Sequence, residues 1–438
     1  MKLKVMENLK KKILQKKAII SVIGLGYVGL PLAVEFAKKG FLVLGVDTDK
    51  ERIKKINSAN SYISDVPSAR LKPLLKKTLK CYPDYSKLKQ ADVIIIAVPT
   101  PLSKTRSPDI SFILKATRKI SKTIKRNQLI ILESTTYPGT TRDVVLPLLE
   151  ESGLKGGEDF LLAFSPERVD PGNKKYKTRN IPKVVGGING ESTQLAGFLY
   201  SQIVERVISV SSPEIAEMTK LWENTFRAVN IGLANEMALI CHKMNIDAWE
   251  VIAAARTKPF GFLPFYPGPG LGGHCLPVDP LYFSYKAGLK GIEARFIRLA
   301  DEINSAMPNY VVERIKKILK RAKRALCNSK ILILGITYKK NIADIRESPA
   351  IEIIKILSRR KARVSYFDPF IEKIKLGKRI FRSHPLSRRF LSQQDCVVIV
   401  TDHSLDYNFI VHNSPYILDT RNVLSNIKGV EKKKIEKL

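Results

Sequence analysis

The chain has 438 residues, more than one ordinary core accommodates, and 44% of them are hydrophobic, so two or three globular domains are expected. Lys and Arg outnumber Asp and Glu by 75 to 41, a net charge of +34, yet no nucleic-acid motif or aromatic–basic interleaving accompanies them. Because the lysines are spread through amphipathic patterns, the excess reads as surface composition with some added attraction for a phosphate-bearing ligand, which sets nucleic acid and membrane surfaces aside as partners.

Residues 1–17 form a lysine-rich, helical extension without a cleavable apolar core, and no later apolar run reaches the roughly 18 to 20 residues needed to span a bilayer. A cytoplasmic protein is expected. Residues 18–23 form an apolar run suited to a buried parallel strand, which leads into Gly24-Leu-Gly26-Tyr27-Val28-Gly29, a helical pattern and a second strand ending at Asp47. This is a βαβ unit with a dinucleotide fingerprint. Gly24 makes the tight turn, Gly26 admits the pyrophosphate, Gly29 lets helix and strand pack, and Asp47 is placed for the ribose hydroxyls. An acid there favours NAD over NADP; Arg52 could bind a phosphate or equally line the adenine side.

Further alternation follows, with strands ending in Val-Pro-Thr100, in Glu133-Ser-Thr135 and in Phe164-Ser-Pro-Glu167-Arg168. Open α/β sheets bind ligands at such carboxyl ends, which makes Thr100, Thr135 and Glu167 candidate site residues. From Pro213 the pattern becomes helical through about Met307. Lys220 and Asn224, four apart, share a helix face that the apolar spacing does not assign to core or solvent. A second α/β region begins near residue 330, lacks the glycine fingerprint, and carries Lys339, Lys340, Asp344 and Arg346 at a strand end and Arg421 after another apolar strand, a set suited to nucleotide phosphates. The expected fold is therefore α/β, two doubly wound Rossmann-like domains joined by a long helical segment. The expected divisions are 1–212, 213–308 and 309–438.

Within the central segment, Gly270-Leu-Gly272-Gly-His-Cys275-Leu-Pro-Val-Asp279 places a cysteine in a glycine-rich loop with a carboxylate four residues on, as a nucleophile would require. The five cysteines, at 81, 241, 275, 327 and 396, form no CxxC pair, so free thiols are expected and no zinc site. Cys241 and Cys396 read as buried structural residues. His274 reads equally as a loop hydrogen-bonding residue or as an acid or base.

Taken in order, Gly24-Leu-Gly-Tyr-Val-Gly29, Glu133-Ser-Thr-Thr-Tyr-Pro-Gly139, Phe164-Ser-Pro-Glu-Arg168, Lys220 with Asn224, Gly272-Gly-His-Cys-Leu-Pro-Val-Asp279 and Lys339-Lys-Asn-Ile-Ala-Asp-Ile-Arg346 resemble the nucleotide-sugar 6-dehydrogenases, the UDP-glucose and GDP-mannose dehydrogenase family. The resemblance implies oxidation of a UDP-sugar C6 alcohol through aldehyde to carboxylate with two NAD. It assigns Cys275 as nucleophile, Lys220 to the oxyanion, Asp279 with Thr135 and Glu167 to water, and Asn224 to positioning. It places Lys339 and Arg421 on UDP, and Arg168, Gly272 and the Phe260, Phe262, Phe265 and Tyr266 loop around the sugar. The corresponding helix pairs subunits in the family, with Arg256 passed towards a neighbour's site, so a homodimer or larger homo-oligomer is implied. Members acting on UDP-glucose carry a lysine just before the aspartate. Val278 stands there instead, which points to UDP-N-acetylglucosamine, with UDP-N-acetylmannosamine next and UDP-glucose after it. A hydroxyacid or hydroxyacyl-CoA dehydrogenase would share the first fingerprint but have no use for Cys275 or the second α/β domain.

Overall fold

The computed structural model describes residues 2–63, 65–170, 172–173, 175–427 and 434–438. The chain divides into two compact units, Met1–Glu223 with Leu281–Ile292, and Asn224–Pro280 with Glu293–Leu438. The helix Pro213–Lys243 begins in the first and ends in the second.

In the first unit eight strands form one sheet: β1 (Ile19–Ile23), β2 (Leu42–Val46), β3 (Leu79–Tyr82), β4 (Val93–Ile96), β5 (Leu129–Leu132), β6 (Leu161–Phe164), β7 (Lys183–Gly187) and β8 (Val207–Val210), ordered 3-2-1-4-5-6-7-8. Strands β1 to β6 are parallel and β7 runs antiparallel to β6. Helices on both faces cover them, so β4 and β5 are buried at every position and read as unbroken Val, Ile and Leu rather than alternating. The N-terminal helix Lys2–Leu14 docks through Leu9 and Ile13, with Lys12 paired to Asp92 at 2.9 Å.

In the second unit β9 (Lys330–Leu334), β10 (Arg363–Phe367), β13 (Cys396–Ile399), β14 (Ile417–Asp419) and β15 (Ile435–Lys437) form a parallel sheet ordered 10-9-13-14-15, and β11 (Lys373–Leu376) and β12 (Arg379–Arg382) form a hairpin. Both sheets are doubly wound, as expected. The two first corners match bond for bond. Gly24 N donates to Val46 O at 2.7 Å and Gly335 N to Phe367 O at 2.9 Å; Leu25 N donates to Asp47 at 2.8 Å and Ile336 N to Asp368 at 2.7 Å. Both glycines have positive φ, 90° and 80°, which a side chain would strain.

One expectation is corrected. Residues 213–307 are not continuously helical: helices Pro213–Lys243 and Ala248–Ala255 are followed by an irregular stretch, then Asp279–Gly288 and Arg295–Arg321. Pro259, Pro264, Pro267, Pro269 and Pro277 lack a backbone donor and the interleaved glycines disfavour helix by their entropy, which excludes helix there.

Candidate active site

The first corner fits a dinucleotide. A Cβ on Gly24 would lie 2.4 Å from Ala97 O and one on Gly29 1.8 Å from Gly24 O, so both must be glycine, while one on Gly26 would meet nothing within 4 Å, leaving space for a pyrophosphate. Tyr27 and Val28 lead into the helix Gly29–Lys38, whose N-terminal amides suit an anion. Buried Asp47 accepts from Leu25 N at 2.8 Å and Asp49 N at 2.9 Å. Arg52 pairs with Asp47 at 2.8 Å and lies over the Tyr62 ring. Thr100 is buried beyond β4 and Thr135 half-buried beyond β5, both at carboxyl ends of the sheet.

Further along the same edge, Glu167 Oε1 accepts from Arg168 N and Val169 N, both at 2.7 Å, and Oε2 faces Lys183 Nζ at 3.2 Å. Burial alone would raise this carboxyl, but Lys183 and the two amides more than offset it and hold it below the ordinary range. The Arg168 guanidinium turns to Glu223 at 2.6 Å and to Pro182 O at 2.7 Å. Lys220 is buried, so its face of the helix is an inward one.

Sequence reasoning missed Glu217, one turn before Lys220. Its buried carboxylate accepts from Gly139 N at 2.6 Å, Thr141 N at 2.8 Å and Thr141 Oγ1 at 2.7 Å, fastening the Thr135–Thr141 turn to the long helix. Burial pushes this carboxyl up to about 7 against the pull of those donors. A carboxyl raised from about 4.3 contributes stability that is complete below that value and is lost as pH rises through about 7. Glu217→Gln removes the titration and sets an amide N–H against a backbone N–H, a loss of about 1–3 kcal/mol. The variant should therefore melt below the parent at pH 5, and the gap should narrow by up to about 3 kcal/mol by pH 8.5. A gap independent of pH in thermal melts would place the titration elsewhere.

In the second unit, Val278 N and Asp279 N both donate to Cys275 O, at 3.1 and 2.8 Å, so Cys275 and Asp279 sit one turn apart at the start of the helix Asp279–Gly288. Cys275 is exposed. Asn224 Nδ2 donates to Asp279 Oδ2 at 2.5 Å, both buried. The loop's glycines are a packing requirement: a Cβ on Gly272 would lie 2.7 Å from Tyr338 Cβ, one on Gly273 2.8 Å from the Tyr338 ring, and Gly273 N donates to Arg346 O at 3.0 Å. The cysteine loop is thus laid on the turn after β9 that carries Lys339. Arg421 Nε donates to Val400 O at 2.9 Å, and its guanidinium passes 2.8 Å from where a Gly268 Cβ would stand. Arg346 is gripped by Asp344 at 2.6 to 3.0 Å and Lys340 faces Asp402 at 3.6 Å, so both have protein partners of their own.

The aromatic loop divides. Phe265 packs edge-on against Phe226 and Tyr266 stacks on Trp249, its hydroxyl 3.4 Å from Arg256, whereas Phe260 and Phe262 are exposed. Asn235 accepts from Gly268 N at 2.8 Å and donates to Asn304 at 2.8 Å, and these buried bonds staple the loop to the helices.

Residues 18–204, 214–306 and 332–426 match, in turn, the NAD binding domain, the central domain and the UDP binding domain of the UDP-glucose/GDP-mannose dehydrogenase family. The chain belongs to that family. It is an NAD-dependent UDP-sugar 6-dehydrogenase, with NAD as its cofactor. It is 34% identical over 411 residues to a UDP-N-acetyl-D-glucosamine 6-dehydrogenase of Pseudomonas aeruginosa, covering 93% of this chain and 96% of the other. It is 36% identical over 413 residues to a UDP-N-acetyl-D-mannosamine dehydrogenase of Pyrococcus horikoshii, covering 92% and 96%. The solved UDP-ManNAc dehydrogenase structure from Pyrococcus horikoshii superposes with TM-score 0.86 at 35% identity, covering 96% of this chain and 98% of that one. Among the described residues no helix is long and apolar enough to cross a membrane, and no group of three or more His, Cys, Asp or Glu is placed to hold a metal.

Proposed function

We propose that this dehydrogenase oxidises the C6 alcohol of UDP-N-acetylglucosamine to UDP-N-acetylglucosaminuronate, supplying a precursor for surface polysaccharide. The observation that carries this reading is Val278: a buried apolar side chain directly before Asp279, where members acting on UDP-glucose have a lysine. Three relatives at 34 to 36% identity bear names of N-acetylated hexosamines, which supports the same substrate class. UDP-N-acetylmannosamine is the second reading, supported by the Pyrococcus relative.

Gly24, Gly26, Gly29 and Asp47 would hold NAD, which would supply the acceptor for both hydrides. Cys275 Sγ adds to the C6 aldehyde, giving a thiohemiacetal, and loss of hydride from C6 leaves a thioester. Lys220 stabilises the oxyanion at C6. Asp279, held by Asn224, together with Glu167 and Thr135, orders and deprotonates the water whose attack releases the carboxylate and returns the thiolate. Lys339 and Arg421 bind the diphosphate, and the Phe260–Tyr266 loop walls the sugar. Each sugar takes one water and yields two NADH and three protons. The test is NADH yield and kcat/KM with the three UDP-sugars side by side. UDP-glucose should trail the N-acetylated substrate roughly tenfold to a few hundredfold, about 1 to 3 kcal/mol of transition-state binding. Parity would overturn the substrate assignment and leave the cysteine chemistry standing.

The same reading includes a homodimer. Trp222, Phe226, Leu233, Met237 and Ile240 are 43 to 63% exposed and recur three, four or seven apart along one long helix, a stripe that a second copy would bury. Light scattering at micromolar concentration should give twice the 49.3 kDa chain mass. A monomeric mass with full activity would remove the dimer.

A further inference from the structure

Beyond the groups given roles above, the first unit buries a second carboxylate and an ammonium together. Lys183 Nζ, on β7, lies 2.8 Å from Glu133 Oε1 at the end of β5 and 3.2 Å from Glu167 Oε2 after β6, and it sits 5.1 Å above the Tyr200 ring. Tyr200, from the helix Gly190–Tyr200, donates its hydroxyl to Glu133 Oε1 at 2.5 Å. Arg168 and Glu223, next to this turn, are paired with each other.

With both carboxyls ionised the cluster would hold one uncompensated negative charge in a buried setting, which is costly. One proton removes it, and the geometry says where the proton belongs. Glu167 has two backbone amides on one oxygen and the ammonium on the other, the surroundings of an anion. Glu133 has a phenol and the ammonium on Oε1, while its Oε2 is buried without a hydrogen-bond partner, which an ionised carboxylate tolerates poorly. Exposure agrees: the side chains of Glu133 and Lys183 are 0 and 5% exposed, and Glu167 at 15% is the member that reaches solvent.

We propose that Lys183 is a positioning residue for the dehydrogenation, keeping the Glu167 carboxylate ionised and aimed, with Glu133 as the neutral acid that balances the cluster. The direction of titration agrees with the geometry: burial, only partly offset by Lys183, raises the Glu133 carboxyl, while Glu167 is held low. Because Glu133 opens the turn that carries Thr135, the lysine ties two proposed water-ordering residues to one charge.

The inference rests on the role proposed for Glu167, and three variants keep the two separable. Lys183→Met should lower kcat about tenfold to a hundredfold and move the acid limb of the kcat/KM pH profile for the UDP-sugar upward by at least about one unit, with the Kd for NAD unchanged. Glu133→Gln, whose amide imitates a neutral carboxyl, should lose far less and leave the acid limb in place. If Lys183→Met does not fold, Glu133→Gln still decides: a loss as large as that of Glu167→Gln, or a displaced acid limb, would overturn the proton assignment. A normal profile in Lys183→Met alongside an inactive Glu167→Gln would overturn the role of Lys183 alone. Full activity in Glu167→Gln would instead overturn the role of Glu167 in the proposed function.

Discussion

Cys275→Ser should reduce steady-state turnover at least about a thousandfold, some 4 kcal/mol on the barrier, while NAD and the UDP-sugar still bind. The first oxidation, alcohol to aldehyde, needs no covalent bond to the protein, so a single-turnover mixture of the variant should give at most one NADH per site. In the proposed mechanism the second needs a thiolate that adds to the aldehyde and then leaves from an acyl carbon. A serine hydroxyl is a far weaker nucleophile near neutral pH, and an alkoxide is a poor leaving group. The Cys275 side chain is exposed, and the turn is made by backbone bonds from Val278 and Asp279 to Cys275 O. A steady-state rate within tenfold of the parent would remove covalent catalysis from the proposed function.

The parts of the site that were legible in the sequence are those in which a residue type answers to local backbone geometry. Gly24, Gly29 and Gly273 are fixed by close approach of backbone or ring, and Asp47 by its place just past a strand, so spacing alone announced them. Glu217 and Lys183 were not legible because their partners lie far off in the chain, 78 residues away for Gly139 and 50 for Glu133, and no periodicity links them. Strand β7 was hidden by its own packing. Gly186 and Gly187 look like turn residues, yet Cβ atoms there would lie 2.1 Å from Ser212 O and 2.4 Å from Thr193 N, so they are strand residues made small by their neighbours. Strand β15, Ile-Glu-Lys at a sheet edge, has the composition of a solvated tail and is held by bonds that its residues do not advertise. Arg314 donates to Lys437 O at 2.9 Å and Trp249 Nε1 to Leu438 O at 3.2 Å.

Lys220→Met should lower kcat about a hundredfold to a thousandfold, with little change in the KM for NAD. The expectation follows from what the side chain offers and where it stands. It is a buried cation, beside Leu221 and one turn after the buried Glu217, and methionine keeps most of its length while removing the charge. In the proposed mechanism charge develops on the C6 oxygen when the thiol adds and again when water attacks the thioester, and an ammonium in a water-poor setting would stabilise both far more than it stabilises the neutral ground state. Loss of that interaction must therefore appear in kcat rather than in substrate affinity. Asn224→Ala supplies the contrast: it leaves the cation in place but takes away the 2.5 Å amide contact to Asp279, so its effect should fall on release of the carboxylate and let acyl-enzyme accumulate. If Lys220→Met instead raised the KM for the UDP-sugar at constant kcat, Lys220 would be a ground-state binding group, and the oxyanion would need another partner.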